Sequence, residues 1–238
     1  MTLIGTMPQT QRPDQPHTPV VTIDGPSGSG KGTISRAVAR HVGWHLLDSG
    51  ALYRLVALAG ARAGLGPDDP EGHARLAGAM DVVFGSDAQG GERVTLAGED
   101  VTAAIRSETA GQGASRVAAW PVVRTALLER QRAFATAPGL VADGRDMGTV
   151  VFPAADLKIF LTASPEERAQ RRYKQLKDKD SGVSLAALSR EITERDLRDS
   201  TRAVAPLKPA DDARVIDSTG LSIEAVVARV LEWGAGIF

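Results

Sequence analysis

Nine consecutive residues, Gly25-Pro-Ser-Gly-Ser-Gly-Lys-Gly-Thr33, restrict the fold of this chain more than any other feature. A β-branched run, Val20-Val21-Thr22-Ile23-Asp24, precedes them, and Lys31–Val42 follows with Ile34, Ala37, Val38 and Val42 at helical spacing. Gly43 offers a left-handed cap to that helix. The order strand, glycine loop, helix turns several backbone N–H groups inward and lets the main chain approach an oxyanion. A lysine and a helix N-terminus then stand behind the charge. A triphosphate requires all of these, so Gly25, Pro26, Ser27, Gly28, Ser29, Gly30, Lys31, Gly32 and Thr33 are assigned to ATP. One departure matters: Gly32 follows the lysine and the hydroxyl comes one place later. Thr33 is therefore the candidate magnesium ligand, with Ser29 or water as alternatives.

The alternation of strand and helix continues. Trp44–Leu47 reads as a short strand, Gly50–Ala63 as a helix, and Gly64 through Pro70 as loop. Val82-Val83-Phe84 and Arg93–Ala97, around a turn at Ala88–Gly91, read as an antiparallel hairpin that interrupts the α/β order. Helix returns from Ile105, breaks at Pro121 and is expected to end at Pro138-Gly139. Leu140–Asp143 and Leu157–Thr162 are buried strands, Ser164-Pro-Glu-Glu167 is a helix start, and Arg214–Asp217 with Ser222–Trp233 close the chain. Such alternation implies an α/β fold with a parallel sheet covered on both faces.

Composition narrows the function classes. The 238 residues carry 28 Lys+Arg and 29 Asp+Glu, so there is no global basic field of the kind that drives nonspecific binding to nucleic acid. Absence of cysteine removes disulfides, thiolate nucleophiles, iron–sulfur clusters and cysteine zinc sites, and agrees with a cytoplasmic protein. The four histidines, His17, His41, His45 and His73, lack metal-ligand spacing. No apolar run approaches the roughly 18 residues of a membrane span. Residues 1–17 read as a disordered Pro/Gln-rich tail rather than a secretory signal. Arginine outnumbers lysine 22 to 6. Coding bias accounts for most of that excess, but some arginines are available to bind phosphate bidentately.

Arg54 and Arg145 each follow a predicted strand, and Arg195, Arg198 and Arg202 are spaced three and four apart, as on one helix face. Asp196 and Asp199 are interleaved with them, so a salt-bridged exposed helix is an equally plain reading. Three blocks then carry a resemblance: Asp48-Ser-Gly-Ala-Leu-Tyr-Arg54, Asp143-Gly-Arg-Asp-Met-Gly-Thr-Val-Val-Phe-Pro153 and Glu194 to Leu207. Together with Lys-Gly-Thr at the loop, they resemble the signature blocks of the bacterial cytidylate kinases, nucleoside monophosphate kinases of the P-loop class, over about residues 18–233.

The resemblance implies a three-layer P-loop NTPase fold with a central parallel five-stranded sheet, an antiparallel β-containing acceptor insertion and a helical lid. The core would comprise 18–63, 106–169 and 203–238, the insertion 64–105 and the lid 170–202. It implies ATP-dependent phosphorylation of CMP and dCMP with magnesium; a monomer is expected by default, because the insertions look like moving parts and nothing in the sequence resembles an association seam. Arg54, Arg145, Arg195 and Arg202 would hold the monophosphate or the transferring group, with Lys31, Arg145, Arg195 and Arg202 catalytic. Asp199 would bind the acceptor ribose. Asp146 and Arg124 would read cytosine, with Ser115 a third contact, because the N4 amino group donates to a carboxylate while N3 and O2 accept from an arginine. Ser49 and Tyr53 resemble acceptor-site residues. On the residues alone, Asp146 could cap a turn, Arg124 could be solvated, and Tyr53 could be core. Other readings are another nucleoside monophosphate kinase, such as a UMP/CMP or adenylate kinase, or a nucleotide-switch module, although no guanine-reading Asn-Lys-x-Asp stretch is present.

Overall fold

The structure is a computed structural model that describes residues 17–86, 92–177 and 184–238. The expected tail before His17, the tip of the hairpin and part of the expected lid lie outside these residues.

The opening unit forms as its sequence requires: β1 (Val20–Asp24), the loop, α1 (Lys31–Val42) and β2 (His45–Asp48). Gly43 ends α1 at φ 72°, its N–H donating to Ala39 O. α2 (Ser49–Arg62) starts at once because the Asp48 carboxylate caps it, accepting from Ala51 N at 3.0 Å. α3 (Pro70–Ala79) is an addition to the sequence reading. Its cap, Asp69, and Pro70 at the first turn are orthodox, but its glycines and alanines make only a weak apolar stripe.

β3 (Val82–Ser86) and β4 (Glu92–Leu96) pair antiparallel from Val82↔Leu96 to Ser86↔Glu92, as the alternation predicts. The chain then turns at Ala97 and Gly98, both at positive φ, and adds a two-residue strand, β5 (Glu99–Asp100). Helical structure resumes in three pieces, α4 (Thr102–Ile105), α5 (Glu108–Val117) and α6 (Pro121–Arg132). α6 ends well before Pro138: Phe134 N turns back to Gln131 O and Ala135 N to Arg132 O, a tightening that leaves the helix before the proline is reached.

β6 (Leu140–Gly144) leads into a single π-helical segment, Met147–Val151, which the sequence reading lacked. β7 (Leu157–Thr162), α7 (Pro165–Leu176), α8 (Leu185–Ser200), β8 (Arg214–Asp217) and α9 (Ile223–Trp233) complete the described chain. Ser164 caps α7 as expected, its Oγ accepting from Glu167 N at 3.2 Å.

Five parallel strands lie in the order β2-β6-β1-β7-β8, beside the separate three-stranded sheet β3-β4-β5. Alternate residues go to opposite faces: Val20, Leu47, Leu140 and Ala142 pack with α2, α5 and α6, while Val21, Ile23, Val141, Ile159 and Ile216 pack with α1 and α9. The result is the expected three-layer α/β architecture. β1 sits between β6 and β7, so the loop that follows it opens at the carboxyl edge, where open α/β sheets bind ligands. No helix among the described residues is long and apolar enough to cross a membrane.

Gly25 shows how tightly that loop is seated. A Cβ at this position would lie 2.0 Å from the carbonyl oxygen of Leu161 on β7. Neither backbone can yield, so Gly25→Ala is expected to cost about 1–3 kcal/mol as an overpacked contact, a fall in Tm of about 2–12 °C for a chain of this size. Thermal denaturation checks this, and an unchanged Tm would refute the packing argument.

Candidate active site

A cleft of about 800 Å³ opens along the carboxyl edge of the sheet. One end is the glycine loop and the first turn of α1, and the other is walled by α2, α5, α6 and the residues after β6, with α7 and α8 across the top. Ser27 through Thr33 line the first end. Ser49, Tyr53, Arg54, Ser115, Arg124, Arg145, Asp146, Arg195, Asp199 and Arg202 all line the rest. Gly25 and Pro26 do not: Gly25 backs onto β7, and Pro26 O accepts from Lys31 Nζ at 3.2 Å.

The outer face of the loop is held by α7. Arg168 donates from Nη1 to Ser27 O at 3.1 Å and from Nε to Ala163 O at 3.0 Å, and it forms a two-pronged ion pair with Asp196 of α8. One turn on, Arg171 donates from Nη1 to Ser29 O and from Nη2 to Ser218 O. Loop carbonyls that point away from the cleft are thus satisfied; Ser29 N meets Pro26 O and Thr33 N meets Gly30 O within the loop, which leaves the remaining loop amides for a ligand. Two arginines at i and i+3 in a charged helix resembled an ordinary solvated face, and the sequence reading passed over them.

The carboxyl edge also concentrates acids. Asp24 ends β1, Asp48 ends β2, and Asp143 stands next to last in β6, opposite Asp48 in the register. Burial pushes the Asp143 carboxyl well up, although Lys31 beside it pulls the other way. Burial, then the neighbouring Arg145, draw the Lys31 ammonium well below the usual lysine range. Asp143 Oδ2 lies 3.1 Å from where a Cβ on Gly32 would project. A side chain after the lysine would press on this carboxylate, which would have to give by a few tenths of an ångström at this departure from the common motif.

At the far end Arg124 and Asp146 form a buried ion pair, with Arg124 also donating to Ala118 O and lying 5.7 Å from the centre of the Tyr53 ring. Arg124 is thus not a solvated helix residue. Asp146 does not cap the π-helical segment, since its carboxylate faces Arg124. Tyr53 is both core and cleft wall; burial raises its hydroxyl to about 12, so it stays neutral.

Arg145 donates from Nε to Asp199 Oδ2 at 2.9 Å, and Arg54 from Nη1 to Ile105 O at 2.7 Å. Burial and the nearby Arg145 lower Arg195 to about 10, and its Nε has no partner among the described residues. The single-face reading of 195, 198 and 202 needs correction. α8 ends at Ser200, so Arg202 lies beyond it, and Nε of Arg202 reaches back to Asp199 O. Arg198 turns aside to donate to Ser115 Oγ at 2.9 Å and does not line the cleft. Asp196 belongs to Arg168, not to its helical neighbours.

A phosphate-cradling loop after the central strand, facing a second recess rimmed by arginines, defines a P-loop kinase that joins two phosphate-bearing ligands. The family model described as "Cytidylate kinase" matches residues 21–234, and the chain belongs to the cytidylate kinase family. A cytidylate kinase of Shewanella denitrificans is 62% identical over 90% of this chain and 95% of its own length, and one of Stutzerimonas stutzeri is 64% identical over 90% and 93%. A solved shikimate kinase from Acinetobacter baumannii overlays with a TM-score of 0.44 at 16% identity, covering 92% of this chain and 94% of that one.

Proposed function

We propose the following division of labour for the ATP-dependent phosphorylation of CMP and dCMP, giving the diphosphates and ADP in the cytoplasm. The observation that carries it is the Arg124–Asp146 pair, buried at the end of the cleft opposite the loop. A carboxylate and a guanidinium side by side match the N4 donor and the N3 and O2 acceptors of cytosine, whereas uracil presents O4 to the carboxylate and is repelled. Ser115 joins them once Arg198 releases it.

Loop amides not already bonded within the loop, those of Gly28, Gly30, Lys31 and Gly32, bind the donor phosphates together with the Lys31 ammonium. Arg54, Arg145, Arg195 and Arg202 hold the acceptor phosphate and the transferring group, Asp199 holds the ribose, and Ser49 and Tyr53 complete the acceptor wall. In-line transfer asks the protein for positioning and charge, not for a covalent nucleophile. Asp143, over the first turn of α1, and Thr33, exposed on the cleft, fit magnesium. They would hold it beside the phosphates, where it supplies charge neutralisation.

A coupled ADP-release assay of purified protein against CMP, dCMP, UMP and AMP tests this. Both cytidylates are expected to turn over with the highest kcat/KM, and preferential turnover of AMP would overturn the reading. ATP hydrolysis that ignores the acceptor would favour a nucleotide switch instead.

A further inference from the structure

The residues proposed to read the acceptor stand on a short connection between β6 and the π-helical segment, and this connection supplies little of its own rigidity. Arg145 and Asp146 precede Met147–Val151, and that segment has no side-chain cap of its own. The first amides of any helical turn lack partners within it. Here they are met from another strand. Asp24 Oδ1 accepts from Met147 N at 2.9 Å and Oδ2 from Gly148 N at 2.8 Å, across 123 and 124 residues of sequence.

Asp24 is 5% exposed and does not line the cleft, so it touches neither nucleotide directly. It is the last residue of β1, in register with Gly144 of β6, and it immediately precedes Gly25. The π-helical segment lies flat on β1: a Cβ on Gly148 would come 2.8 Å from Thr22 Oγ1. One carboxylate therefore joins the base of the donor loop to the two amides that follow the acceptor-reading residues.

We infer that Asp24 is a positioning residue for acceptor recognition, fixing Arg145 and Asp146 through the Met147 and Gly148 amides. The inference rests on the reading of Asp146 and Arg145 as acceptor ligands. Both oxygens are needed, because the two donors are adjacent and each takes one. In Asp24→Asn one oxygen becomes an amino group that faces an N–H donor, so one bond is lost and two donors oppose each other. The segment then loses its fixed orientation while the loop amides keep theirs.

The test is steady-state kinetics of Asp24→Asn, with Asp146→Ala assayed alongside. For Asp24→Asn the KM for CMP is expected to rise about tenfold, the loss expected for one charge-assisted bond, with a narrowed preference for CMP over UMP and a KM for ATP within about twofold of the unaltered chain. A uniform structural defect would move both KM values together, and that result, or an unchanged KM for CMP, overturns the inference. If Asp146→Ala loses cytosine preference while Asp24→Asn keeps a normal KM for CMP, the Asp24 inference falls and the reading of the site stands. If Asp146→Ala keeps cytosine preference, the site reading falls, and the split between the two KM values still decides whether Asp24 serves the acceptor side. Should Asp24→Asn not fold, Gly148→Ala decides. Its added Cβ presses the segment off β1 with the carboxylate intact, so an elevated KM for CMP with normal KM for ATP supports the inference and normal values for both overturn it.

Discussion

Lys31→Met is expected to lower kcat about 10³-fold with a far smaller effect on the KM for CMP, at the scale of removing one preorganised charge from a developing oxyanion. The ammonium sits inside the curl of its own loop, bonded to Pro26 O, with Asp143 and Arg145 as charged neighbours. Methionine keeps the length and much of the volume, so the loss reads charge rather than packing. The pH profile supplies a second readout. Burial and Arg145 lower the lysine, so in the free enzyme its charge is held at acidic and neutral pH and is lost on the alkaline side sooner than for an ordinary lysine. A bound triphosphate favours the charged form, and the KM for ATP should therefore climb as pH rises above neutrality. In Lys31→Met that limb should vanish. Single-turnover rates across pH decide the point: a variant within tenfold of the parent would remove Lys31 from the transition state.

Asp146→Ala carries the second large effect, in two currents that separate experimentally. Arg124 is 8% exposed and its carboxylate partner is Asp146. Stripping one member from a buried pair leaves an uncompensated charge and costs about 3–5 kcal/mol. Replacing both members with apolar groups of similar volume is often neutral, so Arg124→Met combined with Asp146→Ala should recover most of the lost Tm. Recognition should not recover. Both proteins are expected to lose about 10–100-fold of their preference for CMP over UMP, the discrimination that a bidentate base contact supplies. Restored stability together with restored preference would show that the pair is structural and reads nothing.

Features whose causes are local were legible in the sequence. Ser164 caps α7, Gly43 closes α1, and the loop joins β1 to α1, since each cause lies within a few residues of its effect. α3 escaped notice because its glycines and alanines give a weak stripe, and β5 because two residues carry no alternation. The arginine face of α8 was misjudged because spacing alone shows neither where a helix stops nor which distant carboxylate claims a side chain. Arg168 meets Ser27 across 141 residues and Asp24 meets Gly148 across 124. A signal for the acids did exist. β1, β2 and β8 each end in aspartate and β6 nearly so, and in a parallel sheet those ends converge on one edge.

The polar groups along the cleft are largely paired with one another or with residues behind the wall: Arg124 with Asp146, Arg145 with Asp199, Arg172 of α7 with Glu108 of α5, and Ser115 with Arg198 from outside the lining. On the proposed reading, an entering nucleotide would swap partners with the paired groups and, among the described residues, meet unpartnered donors only at places such as Arg195 Nε and Arg202 Nη2. The net gain per contact is the difference between two similar bonds, so many contacts can confer selectivity without tight retention. On the same reading those internal pairs would re-form as the diphosphate departs, giving the leaving product tethered competitors at the paired positions.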